Sequence, residues 1–343
     1  MKAAVLYKAH DLRVEERPTP APAADEVLVR IKAVGICGSD MHLYEEGRIG
    51  NTVQERPMVL GHEAAGEVVA VGADVSGLKV GDRVALEPGI PCRKCSYCKG
   101  GEYHLCPAVR FHGVPHIDGF FAEYVAIAAD FAYRLPDGLD FVQGAMLEPL
   151  AVGLQAAEEG EIAVGQSVAV FGSGPIGLSC LQAARVRGAT NIIVVDVLEK
   201  RLKLAREMGA THVVNAAQVS IVDEIARLTG GRGADVILET AAAPQTMQQS
   251  LFAARRGGTV VFVGVASQPN VPLDVVRIVR SRMRIKGCFR YVNQYPVAVA
   301  LAEAGKVDLT SAVTHRFALA ELPQAIEFAI KNKDVAIKCA VTI

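Results

Sequence analysis

Four cysteines stand at positions 92, 95, 98 and 106, within the run PCRKCSYCKGGEYHLC. The spacing C-x2-C-x2-C-x7-C is close to that of closed four-thiolate zinc sites, where a tetrahedral ion fills every valence with sulfur and keeps none for a substrate. Cys92, Cys95, Cys98 and Cys106 are therefore expected to staple a loop with a structural zinc. Two short-range disulfides or a redox C-x-x-C pair are the other uses of such residues. The start of the chain, MKAAVLYKAHDLRVEERP, has charges inside its first apolar run and no signal-peptide layout, so a reducing cytosolic setting is expected. Neither alternative accounts for four thiols there. His104, inside the run, offers itself in place of one thiol.

A second set has different chemistry. Cys37 lies in AVGICGSDMH, and His62 and Glu63 stand side by side between glycines in MVLGHEAAGEVVAVGADV. One thiolate, one imidazole and one carboxylate make three zinc ligands and leave a fourth position for water or substrate, which is the composition of a catalytic site. Glu148, in AMLEPLAVG, lies where two domains should meet and could approach the metal or hold its water. Cys180, Cys288 and Cys339 sit in apolar stretches and read as small buried hydrophobes.

A third set would bind a phosphate. SVAVFGSGPIGLSCLQAARVRG contains Gly172-x-Gly174-x-x-Gly177 directly after a predicted strand and at the opening of a predicted helix, with a second strand ending in Asp196. In that context the glycines serve the tight turn, the approach of a pyrophosphate to the helix N-terminus and close helix–strand packing. Asp196 would accept from the ribose hydroxyls of NAD and repel a 2'-phosphate. At ~4 Å and an effective dielectric near 20, that repulsion is about 4 kcal/mol per unit charge. Lys200 and Arg201, downstream, could soften it.

The elements that must carry these residues change character along the chain. In the first half, EVLVRIKAVGIC alternates, with Val27, Val29 and Ile31 on one face and Arg30 and Lys32 on the other. GEVVAVG, DRVAL and FAEYVAIAADFAYRLP continue as short strands broken by Gly, Pro and Asp. From about residue 151 the strands become continuous apolar runs, SVAVFG, NIIVVD, HVVN, DVILET and TVVFVG, separated by glycine-closed helical segments. Alternating β and α predicts an α/β fold with a doubly wound parallel sheet. The final stretch mixes helices (YPVAVALAEAG, ELPQAIEFAI) with strands (VTHRFAL, AIKCAVTI). The chain's 343 residues predict two domains, and its 51% hydrophobic and 21% charged content fits a globular protein with a sizeable core. The net charge of −1, without a Lys/Arg run, argues against nucleic-acid and acidic-membrane partners, and no apolar run is long enough to span a bilayer.

GHEAAGEVVAVGADV matches the pattern G-H-E-x2-G-x5-G-x2-V and resembles the zinc-containing alcohol dehydrogenases of the medium-chain dehydrogenase/reductase family. The cysteine run resembles that family's structural zinc lobe, and GSGPIG with Asp196 its cofactor domain. GICGSDMHLYEEGRIG, PMVLGHEA, LEPLAVG and CFRYVNQYP look most like the sorbitol/xylitol (polyol) dehydrogenase branch. The likeness covers essentially the whole chain. It implies a GroES-like β-rich catalytic domain at 1–150 and 290–343, a Rossmann NAD-binding domain at 151–289 and an active site in the cleft. It also implies that Cys37, His62 and Glu63 ligate the catalytic zinc, with Glu148 nearby. Ser39 and His42 would relay a proton; Ser39, Phe111, Glu148, Arg290 and Tyr291 would surround the substrate. Pro175 and Ile176 of the glycine turn, Arg201, Val265 and Arg290 would complete the cofactor contacts. A homotetramer or homodimer is the implied assembly.

Two features depart from the branch: the four-cysteine lobe is kept here, and Leu43-Tyr44 follows His42. The expected reaction is oxidation of a secondary hydroxyl of an open-chain polyol to a ketose with NAD. A threonine, simple-alcohol or diol dehydrogenase would share every metal and cofactor motif. A zinc-free quinone reductase would lack Cys37, His62 and the lobe as a set, and a non-catalytic protein of this fold should have lost a ligand or a glycine.

Overall fold

The computed structural model describes residues 1–266 and 270–343. Two compact units result. One comprises Met1–Glu148, Tyr295–Gly305 and Leu309–Ile343, the other Pro149–Gln294 and Lys306–Asp308.

The first unit is organised by the strand Glu26–Ile36. Its early residues alternate as expected, with Val27, Val29 and Ile31 all fully buried. Its last residues, Ala33 to Ile36, are buried without alternation, because both faces of the sheet are covered there. One edge pairs antiparallel with Glu63–Val71, placing Gly35 opposite Glu63. The other edge is shared: Tyr124–Ala128 pairs with residues 26–30, and Lys338–Thr342 pairs with residues 33–36. Arg83–Leu86, Ala132–Arg134 and Val313–Ala318 complete a seven-stranded sheet. Phe120, Phe121, Leu6, Leu43, Leu60 and Leu86 fill the core beside it.

The second unit is a six-stranded parallel sheet in the spatial order His212–Asn215, Asn191–Asp196, Ser167–Phe171, Ala234–Glu239, Ala254–Phe262, Arg284–Gly287. Every pair is parallel. The chain order reverses between Ser167–Phe171 and Ala234–Glu239, so the crevice that such folds use for ligands opens beyond Phe171, where the glycine turn begins. The five apolar runs anticipated as strands are all present. The sixth, Arg284–Gly287, was not anticipated: with the sequence RIKG it offers one apolar side chain and two cations, the composition of an edge strand. Among the described residues no helix is long and apolar enough to cross a membrane.

Candidate active site and metal centres

The end of the strand Glu26–Ile36 delivers the first metal-ligand candidate. Cys37 follows it at once and opens the helix Gly38–Glu46. Of the second and third, His62 directly precedes and Glu63 opens the neighbouring strand. Sheet register thus brings residues 26 positions apart in sequence together, and one ligand atom from each of Cys37, His62 and Glu63 lies within 4.8 Å of the others.

Asp40, fully buried, ties these two segments to each other. Its carboxylate accepts from the Cys37 N–H at 2.9 Å and from the Gly61 N–H at 3.0 Å, and Oδ1 stands 3.9 Å from His62 Nδ1. Sequence reading passed over Asp40. The signal present was an acid three residues after Cys37, a common N-terminal helix cap arrangement. Gly35 is equally necessary: a Cβ there would come within 1.9 Å of Glu63 Oε2 and 2.8 Å of Met146 Cε. Lys338, also missed, is 2% exposed and donates to Glu63 Oε1 at 2.6 Å and to Ile36 O at 2.9 Å. Burial pulls the Lys338 pKa down, but the charges of Glu63, Cys37 and Glu148 outweigh it and leave it above the ordinary lysine value.

The arrangement suits a divalent cation. His62 Nδ1 is buried with no hydrogen-bond partner, and Glu63 Oε2 has the Lys338 ammonium 2.5 Å away without hydrogen-bond geometry. A buried polar atom left unsatisfied costs about 1–3 kcal/mol, and an ion would remove that cost. Burial would push the His62 imidazole down, yet Cys37, Asp40 and Glu148 draw it well above its usual value. The pocket therefore attracts positive charge. A thiolate, an imidazole and a carboxylate match zinc's ligand preferences. Glu148 is buried and adds to the negative field, while the Phe111 ring tilts against His62 with centroids 5.8 Å apart. Ser39 is half-buried on the same helix as Asp40. His42 lies on the exposed face of that helix, its Nδ1 3.6 Å from Glu46 Oε1.

The four lobe cysteines also converge within 4.8 Å. The Cys95–Cys98 and Cys92–Cys98 sulfurs are 3.4 and 4.0 Å apart. Disulfide sulfurs would be near 2.05 Å, whereas sulfurs on a tetrahedral zinc with ~2.3 Å bonds would be about 3.8 Å apart. Backbone donors at Lys94 and Cys95 bring the Cys92 thiol down to about 6, while burial and its sulfur neighbours push Cys98 up to about 12. His104 lies outside the cluster of four. All eight cysteines are free; Cys180 and Cys339 are buried as expected, and Cys288 is partly exposed.

Tyr103 of the lobe reaches back to Glu87, which accepts from Tyr103 at 2.8 Å and Tyr133 at 2.9 Å. Burial raises the Glu87 carboxyl to about 7 despite these donors. A folded-state pKa above the unfolded 4.5 means that stability is fully present below that pH and is lost as pH rises through 7. The loss amounts to about 3 kcal/mol. Glu87→Gln is therefore expected to gain stability relative to the wild type as pH rises from about 5 to 8. Urea midpoints across that range check it, and a constant difference would show that Glu87 does not titrate there.

In the second unit, Gly172 takes φ +94° and would place a Cβ 2.9 Å from the Thr240 hydroxyl. Gly177 would place one 1.9 Å from the Gly172 carbonyl oxygen. Gly174 precedes the helix Pro175–Val186, with Pro175 and Ile176 opening its first turn, and Arg201 Nη1 lies 3.6 Å from where a Gly174 Cβ would stand. Asp196 accepts from the Ser173 amide and hydroxyl, both at 2.7 Å, and from the Val197 and Leu198 amides at 2.8 and 3.0 Å. The carboxylate is thus fixed at the strand end with its charge beside the glycine turn. Val265 is exposed. Arg290 has φ +58° and its guanidinium lies over the Phe289 ring; Tyr291 is buried.

Two family models match in chain order. Residues 23–137 match the alcohol dehydrogenase GroES-like domain, and residues 175–304 match the zinc-binding dehydrogenase domain. The sorbitol dehydrogenase of Bacillus subtilis (strain 168) is 43% identical over 341 residues, covering 99% of this chain and 97% of that protein. The chain belongs to the zinc-binding dehydrogenase family. It is an oxidoreductase of the family's polyol dehydrogenase branch. An Escherichia coli oxidoreductase/dehydrogenase of unknown specificity superposes with a TM-score of 0.96 at 39% identity, covering 100% of this chain and 99% of that one. An alcohol dehydrogenase from E. coli CFT073, complexed with NADH, does so with a TM-score of 0.93 at 30% identity, covering 100% and 99%.

Proposed function

We propose that this dehydrogenase oxidises a secondary hydroxyl of an open-chain polyol of the sorbitol or xylitol type to a ketose, with NAD as hydride acceptor. The observation that carries the reading is the convergence of Cys37, His62 and Glu63, a three-ligand set that would leave zinc a fourth position, on a chain 43% identical to a sorbitol dehydrogenase.

Cys37, His62 and Glu63 would hold the catalytic zinc, and Cys92, Cys95, Cys98 and Cys106 the structural one. Zinc bound at the catalytic set supplies Lewis-acid polarisation, which lowers the pKa of a substrate hydroxyl. Asp40 fixes the two segments bearing the ligands, and Phe111 shields the His62 ring from water. Glu148 offers a buried carboxylate as hydrogen-bond acceptor for a substrate hydroxyl. Ser39 and the exposed His42 would carry the hydroxyl's proton to water, and bound NAD would supply the hydride acceptor. The glycine turn and the fixed charge of Asp196 support NAD over NADP.

Steady-state kinetics with xylitol, sorbitol, threonine, 2,3-butanediol and ethanol, each with NAD and NADP, test the reading. A kcat/KM for a polyol at least ~10²-fold above that for ethanol is expected, since each extra hydroxyl of a polyol can make a hydrogen bond that ethanol cannot, and bonds to charged groups are worth about 1.5–3 kcal/mol each. Equal values for ethanol and xylitol, or a preference for threonine, would defeat it.

The free cysteines support a reducing, cytosolic location. The open edge of Arg284–Gly287, preceded by Val275, Val276 and Val279 at 64, 65 and 70% exposure, supports a homo-oligomer. Light scattering that returned the 36.4 kDa monomer would contradict it.

A further inference from the structure

Lys338 is a buried cation at a place where the reaction already requires a metal cation. Its strand, Lys338–Thr342, pairs with the end of Glu26–Ile36, with Cys339 opposite Ile36. That register sets the Lys338 side chain against the same strand end that supplies Cys37. The ammonium is anchored by the Ile36 carbonyl at 2.9 Å and meets both Glu63 oxygens, at 2.6 and 2.5 Å. On the opposite side, the missing Cβ of Gly35 leaves room for Glu63 Oε2. Exposure of 2% for Lys338 and none for Glu63 means that water screens neither charge.

A counter-ion in this place does two separable things. It holds the carboxylate where a metal can use it, which a purely structural pair would also do. It also stands as a fixed positive charge beside the metal site and withdraws electron density from one ligand, which a structural pair distant from the site would not do. Like charges this close and this buried repel, so the lysine must weaken metal binding relative to the same site with a neutral residue.

We propose that Lys338 is a positioning residue of the catalytic metal site, one that aims Glu63 and keeps it a weak, yielding ligand. The inference rests on the reading of Cys37, His62 and Glu63 as the catalytic set.

The test uses the full-length protein stripped of zinc and titrated with cobalt(II) against a competing chelator. The one-thiolate site is followed by its visible d–d bands, apart from the charge-transfer bands of the four-thiolate lobe. In Lys338→Met, cobalt at the one-thiolate site is expected to bind at least tenfold more tightly, with shifted d–d bands and an unchanged lobe signal. Lys338→Arg, which keeps the charge, is expected to stay within about threefold of the wild type. Metal-free Lys338→Met leaves Glu63 as an uncompensated buried charge and can fail to fold. The pair Glu63→Gln and Glu63→Gln/Lys338→Met avoids that, and the double variant is expected to bind cobalt at least tenfold more tightly than the single. Equal or weaker binding in a folded Lys338→Met, or equal binding in the second pair, would overturn the proposal and leave Lys338 a packing residue. If wild-type protein bound no cobalt beyond the lobe equivalent, the catalytic-site reading itself would fall.

Discussion

A Cys37→Ser variant is expected to fold, to retain one zinc of two and to lose at least ~10³-fold in kcat/KM on polyols. A serine hydroxyl stays protonated at neutral pH and is a poor zinc ligand, whereas a thiolate is among the best. Without it, His62 and Glu63 make an incomplete set, and the several kcal/mol of charge stabilisation that a metal contributes is lost; about 4 kcal/mol corresponds to 10³-fold. The fold should survive, because Cys37 is a partly exposed helix cap whose backbone N–H, rather than its sulfur, holds Asp40. Metal analysis, circular dichroism and steady-state rates decide the matter. Wild-type turnover in a variant with one zinc would remove Cys37 from the chemistry.

The opposite pattern is expected of Cys95→Ser. Its sulfur lies 3.4 Å from Cys98 and accepts from the Cys98 N–H at 3.5 Å, so it belongs to both the ion's shell and the lobe's backbone. A closed site converts metal affinity into folding free energy. Forfeiting even ~3 kcal/mol of it would lower Tm by roughly 4 °C in a protein of this size. One zinc should again be missing, but the molecules still folded should show the wild-type ratio of polyol to ethanol kcat/KM. Abolished turnover in a variant as stable as the wild type would mean that the lobe, not Cys37, carries the reaction.

What could be read in advance followed a physical division. The candidate ligands Cys37, His62 and Glu63, the four lobe cysteines and the three glycines are residue types with few other reasons to stand at such spacings, so the chain announces them. Asp40, Glu87 and Lys338 carry as much structural meaning but are ordinary residues. Lys338, in AIKCAV, looks like a solvated lysine on a short strand. Only the pairing of that strand with Ile36 shows that its ammonium is buried. Glu87, in ALEPG, looks like a turn residue until Tyr103 and Tyr133 close over it. The sheets were legible wherever apolar runs were long, and RIKG failed that criterion. The four local donors that hold Asp196 could not be read in advance: the turn after a strand exposes amides that any nearby carboxylate will collect.

Of the candidate ligands, Glu63 lies on a paired strand and Cys37 and His62 stand at strand ends directly beside it, and this sets how the site breathes. Gly35, Ala64 and Ala65 lie within a ladder bounded on one side by Arg83–Leu86 and on the other by Lys338–Thr342. Their amides can exchange with solvent only when several strands part together, an opening close in cost to unfolding the whole unit. Motions of exposed segments should therefore leave the spacing of Cys37, His62 and Glu63 unchanged.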